Sequence, residues 1–412
     1  MRHFLILVTL LLTLPTFAQR KNLIEGLLKK SPELFRSVTS RPDVYDVQIL
    51  YTQIDRDAQN RPTFRSYGYK LDKKRYFYPA STVKFPAVLL ALEKLNELKK
   101  THPDLTRSTP MLTDSAYARQ SRVLTDMTAQ NGLPSVEHYA KKILLVSDND
   151  AFNRLYEFVG QTAINERLYR KGYRNLRIVH RLESPMNADQ NAHTNPIRFV
   201  RDGKTLYAQP AQVGTRSFRP DSAIRRGIGF MRRDSLIRQP FDFTDKNFFA
   251  LEDQQAMLKA VLFPDAVPPK SRFNFTPNDY AFLRQYLSQL PRETTYPQYD
   301  STYYDSYCKF LLTGDHKESF PKSIRIFNKV GDAYGYLIDN AYIVDFERGV
   351  EFMLSVVIAC NSDGVFNDNK YDYDSVGFPF MGNLGRVIFD YDAKRKRQWR
   401  PDLRVFQVKY DR

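Results

Sequence analysis

The spacing of apolar residues changes twice along this chain and separates strand-like stretches from helix-like ones. Apolar runs predict strands near both ends of the sequence, at residues 47–54, 64–71, 324–329, 337–344 and 350–359. Between them the apolar residues recur at helical intervals, which predicts helices at 136–145, 150–158, 252–262 and 277–290. An amphipathic stretch at 380–391 predicts a final helix. Strands from both chain ends therefore complete one sheet, with a helical region inserted between them.

This order predicts an α/β (α+β) fold with two parts. Residues 19–100 and 320–412 form an α/β body, and residues 101–319 form a mainly helical lobe, so the chain crosses between the parts twice. The stretch at about 197–250 is rich in Arg, Phe and Gly and has no helical spacing. We interpret it as an irregular insertion with its own short strands, at 197–200 and 204–208.

The first residues are typical of a cleaved signal peptide. Arg2 is followed by an apolar run from Phe4 to Leu14, too short to span a bilayer, and small residues precede Gln19. A signal peptide at 1–18, cleaved near Ala18, predicts a periplasmic or secreted protein. No later apolar run is long enough to cross a membrane, so we expect no transmembrane anchor.

Charge and cysteine content exclude more than they identify. The net charge of +16 is compatible with nucleic-acid binding, but no zinc-finger, RNP or helix-turn-helix pattern accompanies it, so we expect no nucleic-acid partner. The densest basic run, 394–397, favours a solvated face of a terminal helix over attraction to anionic envelope polymers. Cys308 and Cys360 allow one disulfide, although two buried free thiols are the more common outcome.

Ser81-Thr82-Val83-Lys84 is the first candidate for chemistry. Residues three apart share a face of a helix, so the Lys84 amine can approach the Ser81 hydroxyl and, with a lowered pKa, take its proton. A helix N-terminus also favours developing negative charge. The serine follows Tyr78-Pro79-Ala80 and opens an apolar helix, although Pro86 removes an amide donor just past the first turn.

Two further short motifs follow along the chain. In Ser147-Asp148-Asn149 the serine can relay a proton and the asparagine can hold a carbonyl, but the same residue types also cap helices. Lys329-Val330-Gly331 ends a predicted strand, where a lysine can face a cleft and glycine permits close approach to the backbone. For Lys329-Val330-Gly331, the alternative is a strand that merely ends in a turn.

The three motifs in this order resemble the Ser-x-x-Lys, Ser-Asp-Asn and Lys-Thr-Gly motifs of the serine β-lactamase and penicillin-binding protein superfamily. The order of strands and helices resembles that superfamily too, over nearly the whole mature chain apart from 197–250. The resemblance implies a β-lactamase/transpeptidase-like fold, with an antiparallel sheet formed by both chain ends, flanked by helices, and an all-helical lobe.

A fourth feature is similar to class A β-lactamases in particular. Glu183 lies thirty-four residues after Asn149, and Asn187 follows four residues later. In class A enzymes a glutamate and an asparagine at similar spacing hold the water that hydrolyses the acyl-enzyme. An exposed loop carboxylate is the alternative for Glu183.

The sequence departs from this family at the third motif. Val330 replaces a hydroxyl residue that helps to bind the carboxylate of a β-lactam or of a peptide terminus. Asp332 follows Gly331, where the oxyanion-hole amide of the family lies, and its side chain adds negative charge near an anionic ligand. The proline after Glu183 is displaced to Pro185. These differences put the substrate in doubt and leave the nucleophile in place.

Together these features predict an exported serine hydrolase that forms and hydrolyses an acyl-enzyme. The predicted catalytic residues are Ser81, Lys84, Ser147, Glu183 and Lys329. The predicted substrate-binding residues are Asn149, Asn187, Gly331 and Asp332, and the amides of Ser81 and Asp332 would stabilise the oxyanion. We expect no metal or organic cofactor, a β-lactam or cell-wall peptide as substrate, and a monomer.

Other functions on the same fold stay open at this stage. A peptidoglycan D,D-carboxypeptidase or an esterase would use the same acylation with another deacylation route. A non-catalytic envelope-binding protein is the alternative from a different class, suggested by Val330, Asp332 and the basic surface.

Overall fold

A computed structural model describes residues 17–412 of the chain, except 315, 318 and 320. The predicted signal peptide at 1–18 lies almost entirely outside these residues. Among the helices of the described part, none combines the length and the apolar character needed to cross a lipid bilayer.

A five-stranded antiparallel sheet forms the body. In chain order its strands are β1 (Gln48–Arg56), β2 (Pro62–Tyr69), β3 (Ile324–Ala333), β4 (Tyr336–Asp345) and β5 (Val350–Ala359). Their spatial order is β3-β4-β5-β1-β2, so β1 pairs with β5 and joins the two ends of the chain. The predicted fold class, with one sheet built by both ends, is confirmed.

The described part also contains eleven helices. They are α1 (Phe17–Lys30), α2 (Pro32–Thr39), α3 (Pro42–Tyr45), α4 (Lys84–Leu98), α5 (Val136–Val146), α6 (Asn149–Val159), α7 (Gln161–Arg170), α8 (Ala188–Ala192), α9 (Leu251–Leu262), α10 (Pro277–Ser288) and α11 (Phe378–Lys394). The helices predicted from apolar spacing correspond to α5, α6, α9, α10 and α11, with ends that differ by a few residues.

Both faces of the sheet are covered, because successive side chains on a strand point to opposite sides. Tyr51, Ile343 and Phe352 belong to an outer apolar cluster that includes α1, α2 and α11. Tyr342 and Met353 belong to the inner cluster with α4 and α9. This two-sided burial explains why the strands near the C-terminus are almost continuously apolar in sequence.

The lobe has a helical centre but is not helical throughout. The helices α4, α5 and α6 pack on one another, and α4 is buried along most of its length. Small sheets surround this centre, with strands at Met111–Thr113, Leu176–Arg177, His193–Thr194, Ile197–Arg201, Lys204–Gln209, Gln212–Val213, Arg225–Arg226, Gly229–Arg232, Ser235–Ile237, Phe241–Asp242 and Phe248–Phe249. The two strands predicted at the start of the insertion are among them.

The insertion is tied to the body rather than projecting from it. Its strand Gly229–Arg232 pairs in parallel with Val365–Phe366, which follows β5. The helix α9, assigned to the lobe from sequence, packs on the inner face of the sheet. Gln255 of α9 donates to the Leu50 carbonyl at 2.9 Å and accepts from Thr52 Oγ1 at 2.6 Å.

Residues 294–312, which we call the tyrosine segment, connect α10 towards β3 without a long regular element. The segment is held by a buried polar group of three side chains. Lys309 Nζ donates to Asn328 Oδ1 at 2.6 Å, and Asp339 Oδ2 accepts the backbone amides of Phe310 and Leu311 at 3.0 and 3.1 Å. Burial lowers the pKa of Lys309 and raises that of Asp339.

The basic run 394–397 is only partly a solvated face. Lys394 and Lys396 are exposed, whereas Arg395 and Arg397 both bind the fully buried carboxylate of Asp392. Tyr51 of β1 donates to the same carboxylate at 2.6 Å. The two cysteines, Cys308 and Cys360, are buried free thiols, so the disulfide alternative does not hold.

Replacing Asp392 with alanine removes the shared acceptor of Tyr51, Arg395 and Arg397. Arg397 then loses its carboxylate partner and Arg395 keeps only Asp55, so we expect Asp392→Ala to lower the free energy of unfolding by about 3–5 kcal/mol. Urea denaturation followed by circular dichroism measures this loss. Asp390→Ala, an exposed carboxylate on the same helix, is the matched control and should change stability by less than about 0.5 kcal/mol. Equal losses in the two variants would contradict the assignment.

Candidate active site

Ser81 lies on a 3₁₀ turn, Ala80–Val83, that leads directly into α4. The helix begins at Lys84, later than the sequence indicates, so Pro86 falls in its first turn. Amides there have no intrahelical acceptor, and the missing donor therefore costs nothing. Ala80 has a φ of 47°, a left-handed conformation that is rare for a residue with a side chain. The strain sits immediately before the half-buried serine.

Lys84 is fully buried, one turn after Ser81. Its Nζ donates to the backbone carbonyl of Ser147 and lies 3.3 Å from Ser147 Oγ. Burial, followed by the positive charge of Lys329, lowers the pKa of Lys84 well below its usual range. These surroundings favour a neutral amine beside Ser147.

Ser147 occupies the junction between α5 and α6. It has a left-handed backbone, with a φ of 61°, and its Oγ accepts a hydrogen bond from Lys329 Nζ at 2.7 Å. The capping alternative is realised by its neighbour, because Asp148 accepts the amide of Ala151 at 2.7 Å. Asn149 is the half-buried first residue of α6. The motif thus combines a helix cap with a serine held between two lysines.

Strand β3 is the edge of the sheet and lies against the turn that holds Ser81. Lys329 is buried, which lowers its pKa to about 8, and its Nζ also donates to the Val330 carbonyl at 2.9 Å. Gly331 is so close to the turn that a Cβ atom there would lie 2.8 Å from both Ser81 N and Pro79 O. Only glycine fits this contact without displacing backbone.

The amide of Asp332 faces the open edge of β3. Ala333 and Tyr336 close a two-residue hairpin, so they form a hydrogen-bonded pair. The next pair, Asp332 and Leu337, is then of the non-hydrogen-bonded type, and its backbone groups point away from each other. The open edge is the one beside Ser81.

Asp332 is exposed to solvent as a residue, although its carboxyl lies among neighbouring protein atoms. This enclosure raises the pKa of its carboxyl, an effect that the positive charges of Lys329 and Lys84 oppose. Glu183 contributes a negative charge from across the cleft. Val330 is buried in the outer cluster and offers no hydroxyl to a ligand.

Glu183 and Asn187 lie at the rim of the site. Glu183 is exposed and has a φ of 49°, and no hydrogen bond joins it to Lys84 or Asn187 in the part of the chain that the structure describes. Asn187 caps α8, where its Oδ1 accepts the amide of Gln190 at 2.8 Å. Hydrogen bonds join Lys84 and Lys329 to Ser147, and Gly331 contacts the turn that holds Ser81, whereas no such contact among the described residues includes Glu183 or Asn187.

Sequence reasoning missed the residues of α6 that hold the Glu183 loop, residues 178–187. Asn153 makes two hydrogen bonds with the backbone of Leu182, at 2.9 and 3.0 Å. Glu157 is buried between Arg154 and Arg181, at 3.0 and 2.9 Å. A polar residue on the apolar side of the predicted helix was the available signal, since buried polar groups need partners.

Comparison with known proteins agrees with this geometry. A sequence model described as the Beta-lactamase enzyme family matches residues 44–216, a range that contains Ser81, Lys84, Ser147 and Glu183. Over this range, which is less than half of the chain, the protein is similar to the Beta-lactamase enzyme family. Lys329, on β3, lies beyond the matched range.

Similar solved structures include three of low sequence identity. A β-lactamase from Sphaerobacter thermophilus is 14% identical and covers 90% of this chain and 98% of its own, with a TM-score of 0.47. The structure called PBP-A is 14% identical, with coverages of 91% and 97% and a TM-score of 0.49. A class A β-lactamase from Mycobacterium abscessus is 14% identical, with coverages of 90% and 98% and a TM-score of 0.44. No curated protein sequence matches this chain.

The contact between Gly331 and the Ser81 turn yields a test of the site. We expect Gly331→Ala to push β3 away from the turn and slow acylation of Ser81 by at least about 10²-fold, the scale of losing an oxyanion-hole donor. Intact mass after mixing with a neutral acyl thioester measures this rate. Gly26→Ala, where a Cβ would meet nothing within 4 Å, is the control and should keep the wild-type rate. An unchanged rate in Gly331→Ala would show that the contact is not required.

Proposed function

We propose that this β-lactamase-like protein hydrolyses a β-lactam or a related amide or ester through an acyl-enzyme on Ser81. The observation that carries the proposal is the meeting of Lys84 and Lys329 at Ser147, beside the turn that holds Ser81. Two buried amines around one hydroxyl supply both a base and a proton donor without a carboxylate.

Acylation begins with Lys84 as the base. Its pKa is lowered by burial and by Lys329, which favours the neutral amine that can take the Ser81 proton. The Ser81 oxygen then attacks the carbonyl carbon. The amides of Ser81 and Asp332, on either side of the Gly331 contact, stabilise the oxyanion that forms.

Collapse of the tetrahedral intermediate needs a proton on the leaving group. Ser147 donates its hydroxyl proton and is reprotonated by Lys329, whose Nζ lies 2.7 Å from the Ser147 oxygen. Asn149, the first residue of α6, positions a carbonyl group of the substrate. Glu183, with Asn187, then activates the water that releases the acyl group.

The signal-like N-terminus supports export, so we propose that the enzyme acts in the periplasm or outside the cell on small molecules. A β-lactam and a cell-wall peptide are both acyl donors of the required kind. A D,D-carboxypeptidase would share the acylation step, and the experiment below separates it from a β-lactamase.

Intact mass over time tests the acyl-enzyme. The mature protein is mixed separately with a penicillin, a cephalosporin and a neutral acyl thioester, and Ser81→Ala is the control. We expect an adduct and hydrolysed product with the wild type and neither with Ser81→Ala. A transient adduct with accumulating product supports a β-lactamase-type hydrolase, and a persistent adduct supports a penicillin-binding carboxypeptidase. Equal turnover by both proteins would refute Ser81 as the nucleophile.

Glu183→Gln tests the deacylation step. We expect acylation to continue and release of the acyl group to slow by at least about 10²-fold, because a general base contributes on that scale. Rapid-quench mass spectrometry separates the two rates. Asp189→Asn, a largely exposed carboxylate on α8, is the matched control and should deacylate normally. Normal deacylation by Glu183→Gln would assign the base elsewhere.

The two lysines predict a bell-shaped pH dependence of acylation. At low pH, protonation of Lys84 removes the base and the rate falls. As the pH rises through about 8, Lys329 loses the proton that it shares with Ser147, and the rate falls again. Acylation rates with the neutral thioester, measured from about pH 5 to pH 10, give the profile. Lys329→Arg, whose guanidinium stays charged, should move the alkaline limb upward, and an unmoved limb would contradict the assignment.

A further inference from the structure

A cavity of about 660 Å³ lies between the Glu183 loop and the insertion. Most of its wall comes from residues 214–219 and 244–246 of the insertion and from the Glu183 loop with the start of α8. Arg177, which directly precedes the loop, also lines the cavity. Neither Ser81 nor the two catalytic lysines belong to the wall, so the cavity is separate from the acylation site. Cavities of this volume hold small organic molecules.

Buried hydrogen bonds fix the two parts of this wall relative to each other. Asn247 is fully buried, and its Oδ1 accepts the amides of Val179 and His180 at 2.8 and 3.1 Å. Its Nδ2 donates to the His180 carbonyl at 3.2 Å. The insertion is therefore attached to the loop at this point. A preformed cavity of this kind loses little free energy to ordering when a ligand binds.

Arg177 is the most buried cation of the wall, and the residue is 7% exposed. Its Nε donates to the Lys246 carbonyl at 2.9 Å, and one of its terminal nitrogens donates to the Phe243 carbonyl at 3.4 Å. Its guanidinium carbon lies 5.6 and 5.9 Å from the ring centres of Tyr76 and Phe248. All of these partners are neutral, and no carboxylate of the described residues forms an ion pair with it. A buried guanidinium stays charged, so an anion in the cavity would supply the missing partner.

The other three cations of the wall differ in their partners. Arg219 lies 3.1 Å from Asp245, and Arg216 lies 3.5 Å from Glu166. These two carboxylates offset two of the four positive charges. The Lys246 ammonium has neither an ion pair nor a hydrogen bond in the part of the chain that the structure describes. The wall therefore keeps two unpaired cations, this lysine and the buried arginine.

We propose that this cavity binds a small organic phosphate, with the dianionic group held by Arg177 and Lys246. The hydrogen bond from the arginine to the lysine backbone makes the two residues neighbours, so one ligand can meet both cations. A phosphate monoester carries nearly two negative charges at neutral pH and balances both, whereas a carboxylate balances one. Met186 and Phe218 on the wall offer apolar surface to the organic part. Binding here needs no acyl transfer by Ser81, so the inference stands apart from the proposed function.

Isothermal titration calorimetry on the mature protein, at about pH 8, tests the site with three probes. Phenyl phosphate is a dianion at this pH, phenyl sulfate is a monoanion of nearly the same shape, and inorganic phosphate has no organic part. We expect phenyl phosphate to bind with a Kd at least about tenfold lower than that of phenyl sulfate, because the second charge strengthens the hydrogen bonds from the cations. Inorganic phosphate should bind more weakly than phenyl phosphate, because it leaves the apolar part of the wall uncovered.

Substitutions of Lys246 locate the bound phosphate. We expect Lys246→Gln to raise the Kd of phenyl phosphate by at least about tenfold and to remove most of the preference over phenyl sulfate. Lys246→Arg keeps the charge and should keep the preference. Lys204→Gln is the matched control, because it removes the same charge from an exposed lysine of the insertion that does not line the cavity. It should bind all three probes like the wild type.

Several results would overturn the inference. They are the absence of phenyl phosphate binding, equal Kd values for phenyl phosphate and phenyl sulfate, and equal losses in Lys246→Gln and Lys204→Gln. An unchanged Kd in Lys246→Gln would also overturn it, since the ligand would then lie elsewhere, for example at the catalytic lysines. Inorganic phosphate that binds as tightly as phenyl phosphate would contradict an organic ligand.

Two further variants keep the test decisive. If Lys246→Gln fails to fold, Ala188→Glu replaces it, because it adds a carboxylate at an exposed residue of the wall. We expect this variant to raise the Kd of phenyl phosphate by at least about tenfold, and an unchanged Kd would contradict the site. Ser81→Ala should bind phenyl phosphate with the wild-type Kd. Failure of acyl transfer and failure of phosphate binding are therefore observed separately.

Discussion

The enclosure of the Lys84 amine in the protein interior governs the arrangement of the whole site. An ammonium at that depth loses its hydration, and the contacts of Lys84 in the described part are with oxygens of Ser147 rather than with a carboxylate. The neutral form is the one that such surroundings stabilise. Lys84 is buried in this way because α4 runs through the centre of the lobe and because α5 ends at Ser147, whose oxygens meet the amine. A lysine exposed to water at this position would still match the Ser-x-x-Lys motif, but its amine would stay charged and could not act as a base.

The site lies where the lobe meets the body, and the backbone is unusual on both sides of the seam. Ala80, Ser147 and Glu183 all have positive φ values, although none is glycine. Such conformations persist where surrounding contacts determine them, here the Gly331 strand, the Lys329 amine and the Asn153 side chain. Each of these strained residues is thus held in place by a contact from a different element of the fold.

The sequence predicted the structure well wherever a pattern of residues is compatible with only one kind of element. Apolar runs at 337–344 and 350–359 predicted β4 and β5 closely, because a strand covered on both faces has little freedom in composition. The spacing of Ser81 and Lys84 similarly predicted neighbours on one turn. The tyrosine segment has no apolar periodicity to detect. Its position depends on hydrogen bonds between residues distant in sequence, from Lys309 to Asn328 and from the amides of Phe310 and Leu311 to Asp339. For Glu183 the sequence left an exposed loop carboxylate and a catalytic base as alternatives, because spacing carries no information on side-chain direction.

The pairing of β1 with β5 has a consequence for how the chain reaches its fold. The hairpin of β1 and β2 is completed early in the sequence, but a two-stranded hairpin alone is only marginally stable in water. Its partner strand begins at Val350, so the hairpin stays without a sheet until nearly all of the polypeptide has been synthesised. Such long-range closure makes folding slow compared with local helix pairing. In a nascent chain of this topology, the five-stranded sheet therefore cannot be completed before β5 has been synthesised.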